Sequence, residues 1–282
     1  MENIFNVPLD VVVTKRKSIR TYTLQPIPKE IKNQLSQYMS ALSNPFDVKV
    51  SFHDLAVEEA ENSKQLGTYG MIKGAKDFIG ATVKKVDLSL EALGYEFEKL
   101  ILYAASIDLG TCWLGGTFNK AGFAKEMEIN EGDLFPIVTP IGYFGEKLRF
   151  KDFMIRSLAK SDQRKSWEEL FFEGTLDNPL SIENAGDYAF ALNMVQLAPS
   201  ASNKQPWRII KENNMFHFFE CKAQGYSGKY DFDMQRIDMG IAACHFHLAA
   251  MERDLKGQFS KVNVQVKNIP DNFSYIFSWI IR

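Results

Sequence analysis

The sequence predicts an α+β protein built as two similar halves, each with a mixed, mainly antiparallel sheet flanked by helices. Three observations carry this. Apolar residues keep helical spacing from Leu88 to Leu109, at Leu93, Phe97, Leu100, Ile101, Ala104 and Ala105. Trp207 to Lys211 and Met215 to Glu220 flank Asn213-Asn214 and read as a strand hairpin. The order of helix, strands, long helix with an Ala-Ala pair and terminal apolar strand occurs twice. Identity between the copies is low, so the duplication rests on element order. It divides the chain into a first half over 1–150, a helical bridge over 151–181 and a second half over 182–282.

Pro8 suits the first turn of a helix through Val13, and Pro28 starts another. Ile31, Leu35, Tyr38, Met39 and Leu42 give the second helix one apolar stripe, and Asn44-Pro45 ends it. Val48, Val50 and Phe52 alternate as a strand, residues 56–74 read as a mobile loop, and Phe78 to Val83 reads as a central strand. Gly110 stops the long helix. Ile137 to Phe144 is a strand interrupted by Pro140. The bridge is polar and helix-forming around Ser157-Leu158 and Trp167 to Phe172. In the second half a helix runs from Ile182 to Leu197, and a long helix from Asp238 to Ala250 follows the hairpin. Val262, Val264 and Val266 alternate as a strand, and Ser274 to Ile281 is the last one.

The 282 residues are 45% hydrophobic with a net charge of -2, enough for a large core and too near neutrality for nucleic acid or an anionic membrane to be the main partner. Aromatic content of 13%, including 22 Phe, excludes a disordered chain. No apolar run is long enough to span a membrane, and no basic start precedes an apolar core at the N-terminus. Three widely spaced cysteines form no disulfide framework and suit a reducing cytoplasm.

Three stretches carry candidate chemistry. Lys15-Arg16-Lys17-Ser18-Ile19-Arg20 packs four cations around a serine, a set that binds phosphate and equally describes a solvated basic turn. Gly115-Gly116 lets backbone amides approach a flat ligand, or forms an ordinary interhelical loop. In Ala198-Pro199-Ser200-Ala201-Ser202-Asn203-Lys204-Gln205-Pro206-Trp207, two prolines hold the chain extended. Hydroxyl and amide groups there can meet a polar planar ligand with imide edges, or bond only to their own loop. His245 and His247 stand roughly 200° apart on a helix and chelate one metal poorly, and no zinc spacing, nucleophile elbow or P-loop occurs.

The last stretch resembles the A-P-S-x-x-N-x-Q-P-W signature of the FMN-dependent nitroreductase superfamily. Arg16, Ser18 and Arg20 match that family's R-x-S-x-R pattern, with Lys17 at its variable polar position. The resemblance implies a nitroreductase-like fold. It implies that Arg16, Lys17, Ser18 and Arg20 bind the FMN phosphate and ribityl chain. A backbone amide at Gly115 or Gly116 would hydrogen-bond N5, and Lys147 and Arg149 would complete the phosphate pocket, a short match that an exposed basic strand end also explains. Pro199, Ser200, Asn203 and Gln205 would reach the flavin from what is the other subunit in family homodimers. Here the losses are complementary. The first half carries the phosphate, N5 and terminal basic elements but has Leu42 to Phe46 where the loop motif belongs. The second half carries the loop and lacks the other three, with Lys256-Gly257-Gln258-Phe259 where the glycine pair would be.

The chain is thus similar to the duplicated, single-chain branch of the superfamily. The resemblance implies a monomer acting as a fused pseudo-dimer, with one FMN per chain between the halves and no side-chain catalyst. Its chemistry would be ping-pong hydride transfer from NADH or NADPH to a small-molecule acceptor such as a nitroaromatic or quinone. The alternatives are a flavin-binding or sensing protein without turnover, and a degenerate structural protein that binds no flavin.

Overall fold

A computed structural model describes residues 5–57, 66–145, 163–223 and 231–282. The chain separates into two compact units. Unit 1 is 1–44, 48–89 and 96–158; unit 2 is 45–47, 90–95 and 159–282.

The described elements follow in chain order: α1 (Leu9–Lys15), α2 (Lys29–Ala41), β1 (Val50–Ala56), β2 (Asp77–Val83), α3 (Ser89–Ser106), β3 (Gly110–Thr111), α4 (Lys120–Glu126) and β4 (Leu134–Gly142). Then come α5 (Trp167–Leu170), β5 (Phe171–Glu173), β6 (Thr175–Pro179), α6 (Ile182–Ala185), α7 (Ala189–Leu197), β7 (Trp207–Glu212), β8 (Met215–Cys221), α8 (Met234–Glu252), β9 (Gly257–Ser260) and β10 (Phe273–Ile281).

In unit 1 the strands form an antiparallel sheet in the order β1-β2-β4-β3. β2 is paired on both sides and buried from Phe78 to Val83, so it reads as a continuous apolar run. Phe78, Leu114, Phe118, Phe123, Met127, Phe135 and Val138 close one core cluster between α4 and this sheet. The Asn119 side chain caps α4 by accepting the Gly122 amide at 3.3 Å. Asn119→Ala is expected to cost about 1 kcal/mol, read as a lower urea midpoint at constant slope.

Pro140 does not interrupt β4. Val138 exchanges both backbone hydrogen bonds with Leu114, so two residues on, Pro140 turns its missing donor toward the same side. There the Cys112 N–H donates to the Thr139 hydroxyl, at 3.0 Å, and the strand runs on to Gly142.

Unit 2 holds a mixed sheet ordered β6-β5-β7-β8-β10-β9, in which β5 runs parallel to β7 and the other neighbours are antiparallel. Phe216 and Phe218 face Tyr188 and Phe246 beneath it. Three expectations need correction here. The bridge is helical only over α5 among its described residues. Phe171 and Phe172 pair with Ile209 and Ile210, because burying two aromatics in a sheet outweighs local helix preference. The helix expected from Ile182 breaks at Gly186, which sits at φ +59°. Val262, Val264 and Val266 form no strand. β9 already pairs with that edge of β10, and the valine segment lies over Phe172, Ile210 and Phe219 with Val264 and Val266 turned inward. Its alternation is real but serves a strap, and Val262 donates to the Tyr275 hydroxyl at 3.0 Å.

Gly94 and Gly240 bring the start of α3 against α8. A Cβ at Gly94 would meet the Ile237 carbonyl, and one at Gly240 would meet the Glu91 carbonyl. The contact is reciprocal, since each glycine abuts the carbonyl three residues before the other.

Candidate functional site

Arg16 leaves α1 in extended conformation. The segment it opens is pinned by backbone hydrogen bonds from Ile19 to Thr111 at 2.8 Å and from Lys73 to Arg20 at 2.9 Å. Ile19 and Tyr22 are buried and fasten it down. Beside it lies a cavity of roughly 220 Å³ lined by Lys15, Arg16, Lys17, Asp108, Gly110 and Thr111 among others. Lys15 pairs with Asp108 at 2.8 Å. Three cations and one carboxylate in a concave site suit a phosphate. Ser18 and Arg20, on the same segment, do not line this cavity.

Arg16 Nε lies 4.0 Å from Glu98, whose side chain is fully buried on α3. The other Glu98 oxygen accepts the Trp113 indole N–H at 3.0 Å. Glu98 thereby ties the basic segment to the residues leading into Gly115. Sequence reasoning missed it; an acid inside a largely apolar helix was the available signal. Leu114 pairs with Val138, then Gly115 and Gly116 bend away from the sheet edge, with Gly116 exposed. Lys147 and Arg149 lie outside the described residues, as does the Ser157-Leu158 part of the bridge.

Pro199, Ser200, Asn203 and Gln205 belong to unit 2. After α7 the chain extends through Ala198 and makes one 3₁₀ turn, Ala201–Asn203. Ser202, Asn203 and Gln205 sit at φ +49°, +54° and +47°, positions costly for non-glycine residues. Gln205 was expected to be extended ahead of Pro206, and it is not. Its conformation is held by hydrogen bonds: Gln205 N donates to Ser200 Oγ at 2.8 Å, and Gln205 Oε1 accepts from Lys165 N at 2.8 Å. Asn203 Nδ2 donates to Gln163 O at 2.8 Å, and Arg164 donates to Asn203 Oδ1 at 3.3 Å. Gln205 is buried and spends its amide on the loop, while Pro199, Ser200 and Asn203 are half-buried and Ser202 and Lys204 are exposed.

Beneath the loop lies a polar cluster that sequence reasoning also missed. Asp238 Oδ1 on α8 accepts the Ala201 N–H at 2.9 Å. Burial holds the Asp238 carboxyl well above the usual range, and the Glu220 and Asp233 charges add to this. Glu220, opposite Trp207 in the β7–β8 ladder, is fully buried. Burial, with repulsion from Asp233, raises it to about 7. A lone Asp at the head of the mainly apolar run from Met239 to Phe246 was the signal for this cluster. No group of three or more His, Cys, Asp or Glu among the described residues could hold a metal ion, and no described helix is long and apolar enough to cross a membrane.

No curated protein matches the sequence. A solved structure from Thermotoga maritima, described as a "putative nitroreductase", aligns with a TM-score of 0.63 at 17% identity, over 98% of this chain and 94% of that one. It shares the fold. Matches over about half of the chain include an "FMN-dependent Nitroreductase" from Clostridium difficile, with a TM-score of 0.40, 20% identity and coverage of 49% of this chain and 88% of that one. Another is a Bacteroides fragilis nitroreductase with bound FMN, with a TM-score of 0.41, 14% identity and coverage of 51% and 92%. Residues 10–250 match the family model described as "Putative TM nitroreductase". Matched over that span, the chain belongs to this nitroreductase family, a family of oxidoreductases.

Proposed function

We propose that the protein is an FMN-dependent oxidoreductase of nitroreductase type. It takes hydride from NADH or NADPH and passes reducing equivalents to a nitroaromatic, a quinone or a similar acceptor, as a monomer in the cytoplasm. The observation that carries this reading is the cavity lined by Lys15, Arg16 and Lys17 beside the Gly110–Thr111 backbone, whose donors fit the flavin phosphate. Residues 1–150 supply the phosphate and N5 contacts. Residues 182–282 supply the Pro199–Gln205 loop, which orients the same flavin, so each chain holds one.

When bound, FMN supplies the two-electron chemistry, and nicotinamide and acceptor use one cleft in turn. Arg16 and Lys17 neutralise the phosphate, with Glu98 fixing the Arg16 guanidinium. A backbone N–H at Gly115 or Gly116 would donate to N5, the atom that accepts hydride. The loop's polar edge excludes water from the ring. A second reading, flavin binding without turnover, draws on the loop itself, whose Gln205 amide is already committed to Lys165 and Asn203.

The purified protein should show flavin absorption at one equivalent per chain and oxidise NADH or NADPH with a nitroaromatic or quinone. Bound flavin that neither nicotinamide reduces would favour the second reading. Arg16→Ala should weaken FMN binding at least tenfold, the worth of one charge-assisted contact, measured by fluorescence quenching. Asn203→Ala should weaken it too. An effect at Arg16 alone would overturn the two-part site.

A further inference from the structure

We propose that Asp238 is the positioning residue of the Ala198–Trp207 loop, and that Glu220 makes its hold on the loop depend on pH. The proposal rests on the reading that this loop meets the flavin.

The geometry is local and buried. Asp238 reaches the first amide of the 3₁₀ turn, Ala201 N, from below. That turn leads directly into the positive-φ residues Ser202 and Asn203. A loop with three such residues holds its shape only while its tethers hold. Asp238 is 3% exposed and Glu220 0%. Asp238 Oδ2 and both Glu220 oxygens have no hydrogen-bond partner among the described residues, nor do the nearby donors Trp207 Nε1 and Gln235 Nε2. A carboxylate without partners in such a place is far costlier than a neutral carboxyl group. Burial therefore favours the neutral form of the Asp238 carboxyl, whose Oδ1 accepts the Ala201 amide in either form.

Glu220 sets the upper limit of that state. The charged groups facing it are Asp233, Asp238, Lys222 and Arg236. Lys222 already pairs with Asp233, at 3.5 Å, and Arg236 pairs with Glu91. Asp238 is faced by Glu220 and Asp233, with the Ala201 amide as its favourable contact. When Glu220 ionises, near pH 7, a charge appears beside Asp238, and among the described residues the two cations facing it, Lys222 and Arg236, are already paired. That charge repels electron density at Asp238, the residue whose oxygen holds the Ala201 amide. The hold is present below the Glu220 transition and lost above it. No metal is called for, since the cluster offers no ion-binding set.

The test is hydrogen–deuterium exchange on the full chain without flavin, from pH 6 to 8.5, with protection over residues 198–207 corrected for intrinsic exchange. Wild type should lose protection roughly tenfold over this range. Glu220→Gln should stay flat. Asp238→Asn, which keeps the acceptor, should retain protection, and Asp238→Ala should lose it at every pH. FMN titrations of the same variants should follow the loop's protection. A Glu220→Gln profile that falls like wild type, or an Asp238→Ala loop as protected as wild type, overturns the proposal. Exchange as expected with unchanged FMN affinity in Asp238→Ala overturns the positioning role. If wild type takes up no FMN at all, the flavin reading fails, while exchange still decides the tether.

Discussion

Gly240→Ala is expected to destabilise the protein by about 3 kcal/mol, at the upper end of overpacking costs. The added methyl would fall on the Glu91 carbonyl oxygen. Backbone cannot swing aside as a side-chain tip can, so α8 and the start of α3 would have to separate. That movement strains the Arg236–Glu91 ion pair, which crosses the same contact. It also pulls at Tyr95 and His247, hydrogen-bonded at 2.8 Å. Gly94→Ala should act alike, because its methyl would fall on the Ile237 carbonyl. Both act on one contact, so the double variant should cost less than the sum. Urea unfolding of the four proteins checks this; a loss under 1 kcal/mol for either single variant would mean the helices part easily.

Stability should fall as pH rises through neutrality, with Glu220 as the cause. Its ordinary carboxyl value of 4.5 applies to the unfolded chain, and burial raises the folded value to about 7. The folded state therefore binds more protons between those limits. The stabilisation is fully present below the unfolded value and is lost as pH passes the folded one. The whole shift is worth about 3 kcal/mol. A loss on the order of 1 kcal/mol falls between pH 6 and pH 8.5. Denaturant titrations at those two pH values measure the loss directly. Glu220→Gln should remove it and leave a flatter profile. A Gln variant with the wild-type slope would assign the pH dependence to other groups.

The sequence carried the parts whose signals are local. The R-x-S-x-R segment, the glycine pair and the proline-rich loop stand out by residue type. The long helices and the hairpin stand out by period. Glu98, Asp238 and Glu220 did not, because a buried acid matters through partners distant in the chain: Arg16 for Glu98, Ala201 for Asp238, Asp233 for Glu220. The misread elements share a cause. Phe171-Phe172 and the alternating valines carry patterns that two structures satisfy, and the occupancy of sheet edges chose between them. Gln205 shows the same ambiguity in a side chain, since its amide suits a ligand and serves its own loop.

The division of the chain bears on how such a protein can be rearranged. Unit 2 includes residues 45–47 and 90–95, which lie far upstream of the rest of it. Phe46 packs there against Phe277 at 5.2 Å, and Glu91 and Gly94 against α8. A gene cut after residue 158 would therefore not yield two self-sufficient modules. The downstream product would lack pieces of its own core, and the upstream product would carry them as unpaired surplus. Such products could assemble only as an exchanged pair, in the manner of domain-swapped subunits. Circular permutants should therefore be sought at loops that leave both short segments on the same piece of chain as the rest of unit 2.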